Sequence, residues 1–401
     1  MNNLYAALEI GTTRTVLAIG EAETGGRLRI ACHAEIPSTG VRKSQILDIS
    51  QATQSIRSVL REAEKIQLAA GNNLSIGNAF LVVSGQHVKV DSVSGTVAVG
   101  GGKVGDDEIE HVADDAHDSP LADDRILLDV VDQDYDLDSL RGISDPRGMS
   151  GRILKLNTLL IHASRNRIDD AHSAAAGAHL EIRERLFAAT CAADAVLEEH
   201  ERKNGVLVLD LGGGSTGYAA YADSHMITGG VIGVGGDHVT NDIAHAFQTT
   251  QGQAEKMKLE HASAMLGMGS EDRSARVKIP GSSPLMETRT ISRRALDTVV
   301  NARLKELFTV IRETLEEQDA LARIHSGIVI TGGGAALRDV DLLIQREFGL
   351  PVRIGRPIHV DGLDAEPYPA AYAAIAGALM FAHRNYEEKP FLDSLFGKFF
   401  K

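Results

Sequence analysis

Short apolar runs separated by glycine-rich turns open the chain, and the same arrangement recurs after its midpoint. Runs of this length, bounded by turn residues, are typical of buried strands. The first set of predicted strands covers residues 4–8, 15–19 and 28–33, and the second set covers residues 206–209, 218–222 and 225–231. Two similar sets of three strands in one chain predict two related halves.

The first strand of each set ends in an acidic residue that is followed two positions later by glycine. Glu9 and Gly11 have this spacing, and Asp210 and Gly212 repeat it 201 positions further along the chain. A glycine turn carries little side chain, so its backbone N–H groups can wrap a phosphate while the carboxylate approaches a metal ion or its waters. Two such units predict two halves that hold one phosphate chain from both sides. A pair of ordinary glycine-rich hairpin turns is the alternative.

A third glycine cluster follows another predicted strand late in the chain. It consists of Gly332, Gly333, Gly334 and Ala335. The helix predicted after it has one apolar face, formed by Leu337, Val340, Leu343 and Ile344. Strand, glycine turn and helix start together make a place where backbone can approach a nucleoside. The pattern is not the dinucleotide-binding fingerprint, because the first two glycine turns lead into strands, and the chain has no Walker A motif.

Between the two sets of strands, residues 86–164 have the pattern of an inserted α+β unit. Residues 88–99 alternate as strands do, residues 106–116 form an acidic helical segment, and residues 126–131 predict another strand. A long amphipathic helix is predicted later in the chain. Its apolar face consists of Leu296, Val299, Val300, Leu304, Leu307 and Ile311.

The C-terminal residues form a second amphipathic pattern, after an alanine-rich helix predicted over residues 370–384 and a short polar link. The apolar stripe consists of Phe391, Leu392, Leu395, Phe396, Phe399 and Phe400. The opposite face is polar and ends in lysine, which favours a helix lying in a membrane surface. A terminal helix that docks on its own core or in a groove of a partner is the alternative.

Charge and cysteine content narrow the classes of function. The 401 residues include 41 Lys and Arg against 55 Asp and Glu, a formal net charge of −14, which argues against a nucleic-acid partner. Cys32 and Cys191 have no metal-ligand spacing, and two cysteines suit a reducing compartment. No stretch approaches 18 uninterrupted apolar residues, so we expect a cytosolic protein that does not span a membrane.

The order of these motifs resembles the two phosphate loops and the adenosine loop of the actin, Hsp70 and hexokinase superfamily. Three further segments are similar to the bacterial FtsA family of cell-division proteins. They are residues 143–151 (ISDPRGMSG), residues 234–244 (VGGDHVTNDIA) and residues 254–258 (AEKMK). The resemblance extends from about residue 4 to residue 401.

The resemblance implies an α/β, actin-like ATPase fold: two RNase H-like halves, a relocated small subdomain and a C-terminal amphipathic helix. The first half would comprise residues 1–85 and 165–205, with the relocated subdomain at 86–164. The second half would comprise residues 206–237 and 325–385, with a small subdomain at 238–324. A linker at 386–390 would lead to the membrane-targeting helix at 391–401.

The resemblance also implies ATP and Mg²⁺ as cofactors and assigns residues to them. The residues implied to bind the nucleotide are Gly11, Thr12, Thr13, Arg14, Gly212, Gly213, Gly214, Ser215, Thr216, Gly235, Gly236, Glu255, Lys258, Gly332, Gly333, Gly334 and Ala335. Glu9 and Asp210 would face the metal ion, Asp210 through water. Asp194 precedes Ala-Val-Leu as the water-positioning glutamine of actin precedes a similar tripeptide, which makes it a speculative hydrolysis residue.

Two residues depart from the family pattern as we expect it. Glu9 stands where an Asp is expected, and Arg14 stands where a Lys is usual. A longer carboxylate shifts a bound Mg²⁺ or its waters by about one C–C bond, and Mg²⁺ demands near-ideal octahedral geometry. We therefore expect ATP binding with weak hydrolysis at most, in a protein that uses ATP mainly as an assembly ligand.

The implied function is a cell-division protein that polymerises on the cytoplasmic face of the plasma membrane at the septum. It would tether filaments of the tubulin-like FtsZ to the membrane and engage later division proteins. Arg303 and Glu306 match an R-x-x-E pattern of the family and are the candidate contacts for the FtsZ C-terminal tail. The alternatives are an actin-like protein of pilus assembly and a sugar kinase of the same superfamily.

Overall fold

The computed structural model describes residues 4–23, 27–266, 275–279 and 288–386. The predicted membrane-targeting residues 391–401 lie outside this described part. The described strands are β1 (Leu4–Ile10), β2 (Arg14–Ala22), β3 (Leu28–Pro37), β4 (Val41–Arg42), β5 (Gln45–Ile46), β6 (Asn78–Val83), β7 (Lys89–Ala98), β8 (Arg125–Leu137), β9 (Leu140–Ile143), β10 (Ile153–Ser164), β11 (Glu181–Phe187), β12 (Val206–Leu211), β13 (Thr216–Ala222), β14 (His225–Ile232), β15 (Arg276–Ile279), β16 (Arg289–Ser292), β17 (Ile328–Thr331), β18 (Val352–Ile354) and β19 (Val360–Asp361).

The described helices cover the faces of the sheets. They are α1 (Ile49–Ala69), α2 (Asp106–His117), α3 (Arg165–Gly177), α4 (Ala188–Val196), α5 (Glu199–Asn204), α6 (Gly236–Ala246), α7 (Gln251–His261), α8 (Arg293–Glu317), α9 (Val340–Phe348) and α10 (Ala373–Tyr386), with short 3₁₀ helices at Leu321–Arg323, Gly333–Ala336 and Pro369–Tyr372. None of the helices in the described part of the chain combines the length and apolar character needed to cross a membrane.

Two sheets that share a topology of five strands confirm the predicted duplication, and β19 is an additional edge strand of the first. The first has the order β11-β6-β1-β2-β3-β19, and the second has the order β14-β13-β12-β17-β18. In each, a central strand pairs antiparallel with the next strand and parallel with a later one. The hairpin registers also agree, since Glu9 lies opposite Val16 and Asp210 lies opposite Gly217. The acidic residues therefore end equivalent strands of two similar halves.

The central strands read as continuous apolar runs because helices cover both faces of the sheets. In β12 every side chain from Val206 to Leu209 is fully buried. The predicted helix after the third glycine cluster starts later than its apolar pattern indicates. Asp339 adopts a left-handed conformation with φ of 62°, so Leu337 precedes α9, which begins at Val340.

The segment between the two halves forms a separate layer with its own core. Its sheet has the order β7-β10-β8-β9, and α2 packs against β7 and β10. Val112 of α2 is fully buried there, and a Cβ atom at Gly95 of β7 would lie 2.3 Å from the Val112 carbonyl oxygen. Glycine at that position therefore lets the helix lie close to the sheet. The layer also reaches the second half, because Gln133 donates to the Met226 carbonyl at 2.8 Å.

The long helix α8 lies beside α6 and α9 in the second half. The predicted apolar face is correct for five residues, since Leu296, Val300, Leu304, Leu307 and Ile311 are buried. Val299 is only partly buried, and Phe308 joins the core in addition.

The helices α4 and α10 pack against each other and join the two halves. Their contacting region is rich in alanine, and α4 also contacts β12 and β13 while α10 contacts β1, β2 and β6. The backbones approach so closely that a Cβ atom at Gly377 would lie 1.8 Å from the Cys191 carbonyl oxygen. Small residues are therefore required where the halves meet.

We expect Gly377→Ala to destabilise the whole chain, because its methyl group would collide with rigid helix backbone. Overpacking of this kind costs about 2 kcal/mol. Gly252→Ala makes the same change in α7 at a position where nothing lies within 4 Å of the added carbon. That control should be neutral or slightly stabilising. Thermal unfolding followed by circular dichroism measures both, and equal melting temperatures would contradict the tight packing of α4 on α10.

Candidate functional site

The two predicted phosphate turns have the same backbone structure. The Gly11 amide donates to the Arg14 carbonyl and the Gly212 amide donates to the Ser215 carbonyl, each at 3.0 Å. A Cβ atom at Gly11 would lie 2.7 Å from the Arg14 oxygen, and one at Gly212 would lie 2.8 Å from the Ser215 oxygen. Both turns therefore need glycine for space. The sequence repeat reflects this shared steric requirement.

The two turns face each other directly across the cleft between the halves. A Cβ atom at Gly213 would lie 2.2 Å from the Thr13 hydroxyl oxygen, and one at Gly214 would lie 2.2 Å from that of Thr12. Thr13 also donates to Asp237 at 3.4 Å. Among the described residues, no backbone carbonyl accepts from the Gly213 or Gly214 amides. Hydroxyl groups of one half thus lie against the glycine backbone of the other.

The hairpin formed by β4 and β5 is a third element at this meeting point. The Ser44 amide donates to the Thr12 hydroxyl at 2.7 Å. The Ser44 hydroxyl shares hydrogen bonds with the Thr12 hydroxyl at 3.3 Å and the Ser215 hydroxyl at 3.1 Å. Sequence analysis does not identify this element, because strands of two residues leave no periodic pattern.

Glu9 and Asp210 bring two carboxylates together at the base of the cleft. Burial raises the pKa of Asp210 to about 7, with a further upward contribution from the Glu9 charge, which Arg14 opposes. Burial also raises the pKa of Glu9, against the opposing effect of Arg14. Gly332 lies against the Asp210 carboxylate, since a Cβ atom there would lie 2.4 Å from Asp210 Oδ1. The pair is an electrostatically unfavourable cluster that a bound cation would stabilise.

The Arg14 guanidinium has several protein partners in this structure. It pairs with Glu35, donates to the Ala371 carbonyl at 2.6 Å, and lies 4.8 Å from the centre of the Tyr372 ring. Tyr372 in turn donates to Glu35 at 3.1 Å. The guanidinium thus joins the first sheet to the segment before α10. Its predicted contact with a β-phosphate stays a prediction.

Glu255 and Lys258 are held beside the second phosphate turn. Lys258 pairs with Glu255 at 2.8 Å and donates to the Gly236 carbonyl at 3.2 Å. The Gly236 amide donates to the Gly212 carbonyl at 3.0 Å, and a Cβ atom at Gly235 would lie 2.5 Å from that same oxygen. The structure therefore connects this pair to the turn at Gly212 through the start of α6.

The third glycine cluster lies next to the second phosphate turn. Gly332 has a φ of 80°, and its amide donates to the Ala370 carbonyl at 3.0 Å. A Cβ atom at Gly334 would lie 2.8 Å from the Leu211 side chain, whereas at Gly333 nothing lies within 4 Å. Gly333 therefore borders open space at the end of β17.

These residues fit a magnesium nucleotide. The turns at Gly11 and Gly212 leave no room for side chains, so the groups available to an anion are amides and hydroxyls. Within the described ranges, no cluster of three or more His, Cys, Asp or Glu side chains is placed to hold a metal ion by itself. Two carboxylates suffice for Mg²⁺, because this ion keeps waters and takes phosphate oxygens as further ligands.

Three other predicted site residues lie in ion pairs. Asp194 on α4 accepts from Arg202 at 2.8 Å and also from Arg384 of α10. Arg303 on α8 donates to both carboxylate oxygens of Asp242, at 2.6 and 3.1 Å, and to Glu306 at 2.7 Å. The roles predicted for Asp194 in hydrolysis and for Arg303 and Glu306 in partner binding stay predictions.

Asp210→Asn should stabilise the nucleotide-free chain by an amount that grows with pH. The pKa of Asp210 is about 7 in the folded chain against an ordinary 3.8, so folding retains a proton that the unfolded chain loses. Stability then falls as pH rises through this window, and Asn abolishes the effect. Melting temperatures from about pH 5 to about pH 7.5 test this, with Asp107→Asn on the exposed start of α2 as the control. A constant difference between Asp210→Asn and wild type would contradict it.

Comparison with known proteins identifies relatives along most of the chain. The family model "Cell division protein FtsA" matches residues 207–377, and "SHS2 domain inserted in FTSA" matches residues 85–162. The cell division protein FtsA of Pseudomonas aeruginosa is 31% identical over 378 residues, which cover 94% of this chain and 89% of that protein. FtsA of Bacillus subtilis is 28% identical, covering 96% of this chain and 84% of that protein.

Solved structures that resemble this chain share its fold at low sequence identity. A chain of the PilM–PilN type IV pilus biogenesis complex has a TM-score of 0.65 at 18% identity, covering 94% of this chain and 98% of that one. MreB5 of Spiroplasma citri bound to ADP has a TM-score of 0.57 at 15% identity, with 96% and 99% covered. These likenesses show an actin-like ATPase fold. The family match and the relatives that cover 94% to 96% of the chain show that it belongs to the FtsA family of cell division proteins.

Proposed function

We propose that this chain is an ATP-binding division protein that polymerises on the inner face of the plasma membrane and tethers FtsZ filaments to it. The observation that carries the proposal is the pair of equivalent glycine turns that face each other above Glu9 and Asp210. Membership of the FtsA family supports a role in division.

Bound Mg·ATP would bring phosphate charges and a divalent cation to the cleft. The first turn would offer the hydroxyls of Thr12 and Thr13, and the second would offer the amides of Gly213 and Gly214. Glu9 and Asp210 would lie toward the cation, whose charge would favour their ionised forms. The open space beside Gly333 would receive the nucleoside, with Glu255 and Lys258 close to the same turn.

Turnover would be slow in this arrangement. Both oxygens of Asp194 already accept from arginines, so the carboxylate would have to leave two ion pairs before it could orient a water. Arg14 is similarly engaged with Glu35 and Tyr372. Occupancy by ATP would therefore favour a closed, assembling state, in which binding rather than hydrolysis changes the population.

The FtsZ tail would bind on the surface of α8 that carries Arg303 and Glu306. Glu306 is 64% exposed, whereas Arg303 is 26% exposed and held by Asp242. An approaching peptide would therefore meet Glu306 first. An acidic group of the peptide could then replace Glu306 as the partner of the Arg303 guanidinium. Because Arg303 is already oriented by Asp242, little side-chain entropy would be lost on binding.

The apolar C-terminal stripe would provide the membrane anchor. The sequence places six large apolar side chains on one helical face of the last eleven residues, with lysines at the end. A single short helix of this kind binds weakly and reversibly. Polymerisation would link many such helices and raise the effective concentration of each at the surface, so assembly and membrane binding would reinforce one another.

Gly333→Arg should abolish ATP binding without unfolding the chain. Nothing lies within 4 Å of a Cβ atom at Gly333, so the new side chain fits the protein but fills the space assigned to the nucleoside. Gly100→Arg makes the same change in a turn of the inserted layer with equal free space and should bind ATP normally. Isothermal titration calorimetry measures both. Normal ATP binding by Gly333→Arg would refute the assignment of the cleft.

Flotation with anionic liposomes tests the tether. The full chain should float and carry purified FtsZ with it, more strongly with Mg·ATP, whereas a chain ending at Tyr386 should stay in solution with FtsZ. The truncation keeps Tyr386 because its ring packs on Phe80 with centroids 5.2 Å apart and its hydroxyl bonds Glu184. Phe396→Glu should prevent flotation, and Ser394→Glu on the polar face should reduce it much less.

A charge reversal on α8 separates FtsZ recruitment from membrane binding in the same assay. Glu306→Lys should float as wild type does but leave FtsZ in solution, because it repels Arg303 and removes its exposed partner. Glu317→Lys reverses a charge at the far end of α8 and should recruit FtsZ normally. Flotation of the chain ending at Tyr386, or FtsZ recruitment by Glu306→Lys, would each contradict the corresponding part of the proposal.

A further inference from the structure

The hairpin of β4 and β5 is built around an unusual turn. Arg42 pairs with Gln45, which leaves Lys43 and Ser44 as the two turn residues. Their φ angles are 50° and 56°, both in the left-handed region. Two-residue hairpin turns of this type normally use Asn-Gly or Gly-Gly, because other residues are strained there. Contacts with the rest of the protein must therefore hold this turn in place.

Those contacts come from both halves of the molecule. Ser44 bonds Thr12 of the first phosphate turn and Ser215 of the second. A Cβ atom at Gly214 would lie 3.0 Å from both the Ser44 amide nitrogen and its hydroxyl oxygen. The hairpin turn is thus the one segment whose side chain bonds both phosphate turns among the described residues. Anything bound between the turns would contact Ser44.

The basic side chains around the cleft differ in whether they are already paired with other protein groups. Arg14 is engaged by Glu35, and Lys258 is engaged by Glu255 and the Gly236 carbonyl. Lys43, by contrast, is exposed and forms no ion pair within the described part of the chain. Burial and then the positive charge of Lys43 lower the pKa of His238, which lies in the first turn of α6. Lys43 therefore lies on the side of the cleft where α6 begins.

We propose that the hairpin turn of Lys43 and Ser44 is a third phosphate-binding element, specific for the terminal phosphate of a nucleoside triphosphate. The Ser44 hydroxyl donates to this phosphate where the two turns meet, and the Lys43 ammonium supplies the charge that Arg14 does not. A diphosphate lacks the group that these two residues recognise. The turn consequently distinguishes ATP from ADP. This inference rests on the proposed function, because it requires that the cleft bind nucleotide.

The test compares ATP and ADP affinities of the full chain by isothermal titration calorimetry with Mg²⁺ present. Lys43→Gln should weaken ATP binding by roughly tenfold or more, since it removes a charge-assisted hydrogen bond to phosphate, and should change ADP affinity by less than about threefold. Ser44→Gly removes the hydroxyl while suiting the left-handed backbone. It should weaken ATP binding by a smaller factor and again spare ADP.

Arg42→Gln is the matched control, because it removes one positive charge from the adjacent exposed residue, which belongs to β4 and not to the turn. It should leave both affinities within about threefold of wild type, as expected for a screened surface charge. The proposal is overturned if Lys43→Gln binds ATP as wild type does, if it loses ATP and ADP equally, or if Arg42→Gln has the same effect. If the wild-type chain binds neither nucleotide, the proposed function fails and this inference fails with it.

Discussion

The arrangement of the cleft depends on two buried carboxylates that the two halves bring close together. Glu9 and Asp210 end the central strands of two equivalent sheets, so bringing the halves together also brings their charges together. Burial raises the pKa of both, the Glu9 charge raises the pKa of Asp210 further, and Arg14 opposes both shifts. Such a pair is electrostatically unfavourable, and a bound cation would stabilise it.

The glycine turns follow from the same constraint. Each must turn the chain sharply after its carboxylate and must lie against the opposite turn, so side chains are excluded for two independent reasons. The groups where the turns meet are glycine backbone and the hydroxyls of Thr12, Thr13 and Ser44, which are groups that can bind a phosphate. Arg14 lies next to the first turn and contacts Glu35 and Tyr372. It thereby connects the cleft to the segment that leads into α10.

The contact between α4 and α10 joins the two halves through closely packed backbone. The two helices approach through alanine and Gly377, and α4 contacts strands of both sheets while α10 contacts strands of the first. A seam made of small residues allows little adjustment by side-chain rearrangement. Asp194 lies on this seam and pairs with Arg384 of α10, which makes it a structural link between the helices in this state.

Much of the architecture was determined by the sequence alone, because strand, acid and glycine recur at fixed spacing and such a repeat favours two related halves. The duplicated halves, the apolar face of α8 and the glycine turns all follow from local pattern, and the family resemblance follows from ordered motifs. Only the tertiary structure decided which groups share the cleft. It alone turns Arg14 toward Glu35, pairs Asp194 with Arg384, and places Ser44 between both turns. These contacts join residues far apart in the chain, and their partners are chosen by packing and charge in three dimensions, which no local pattern encodes.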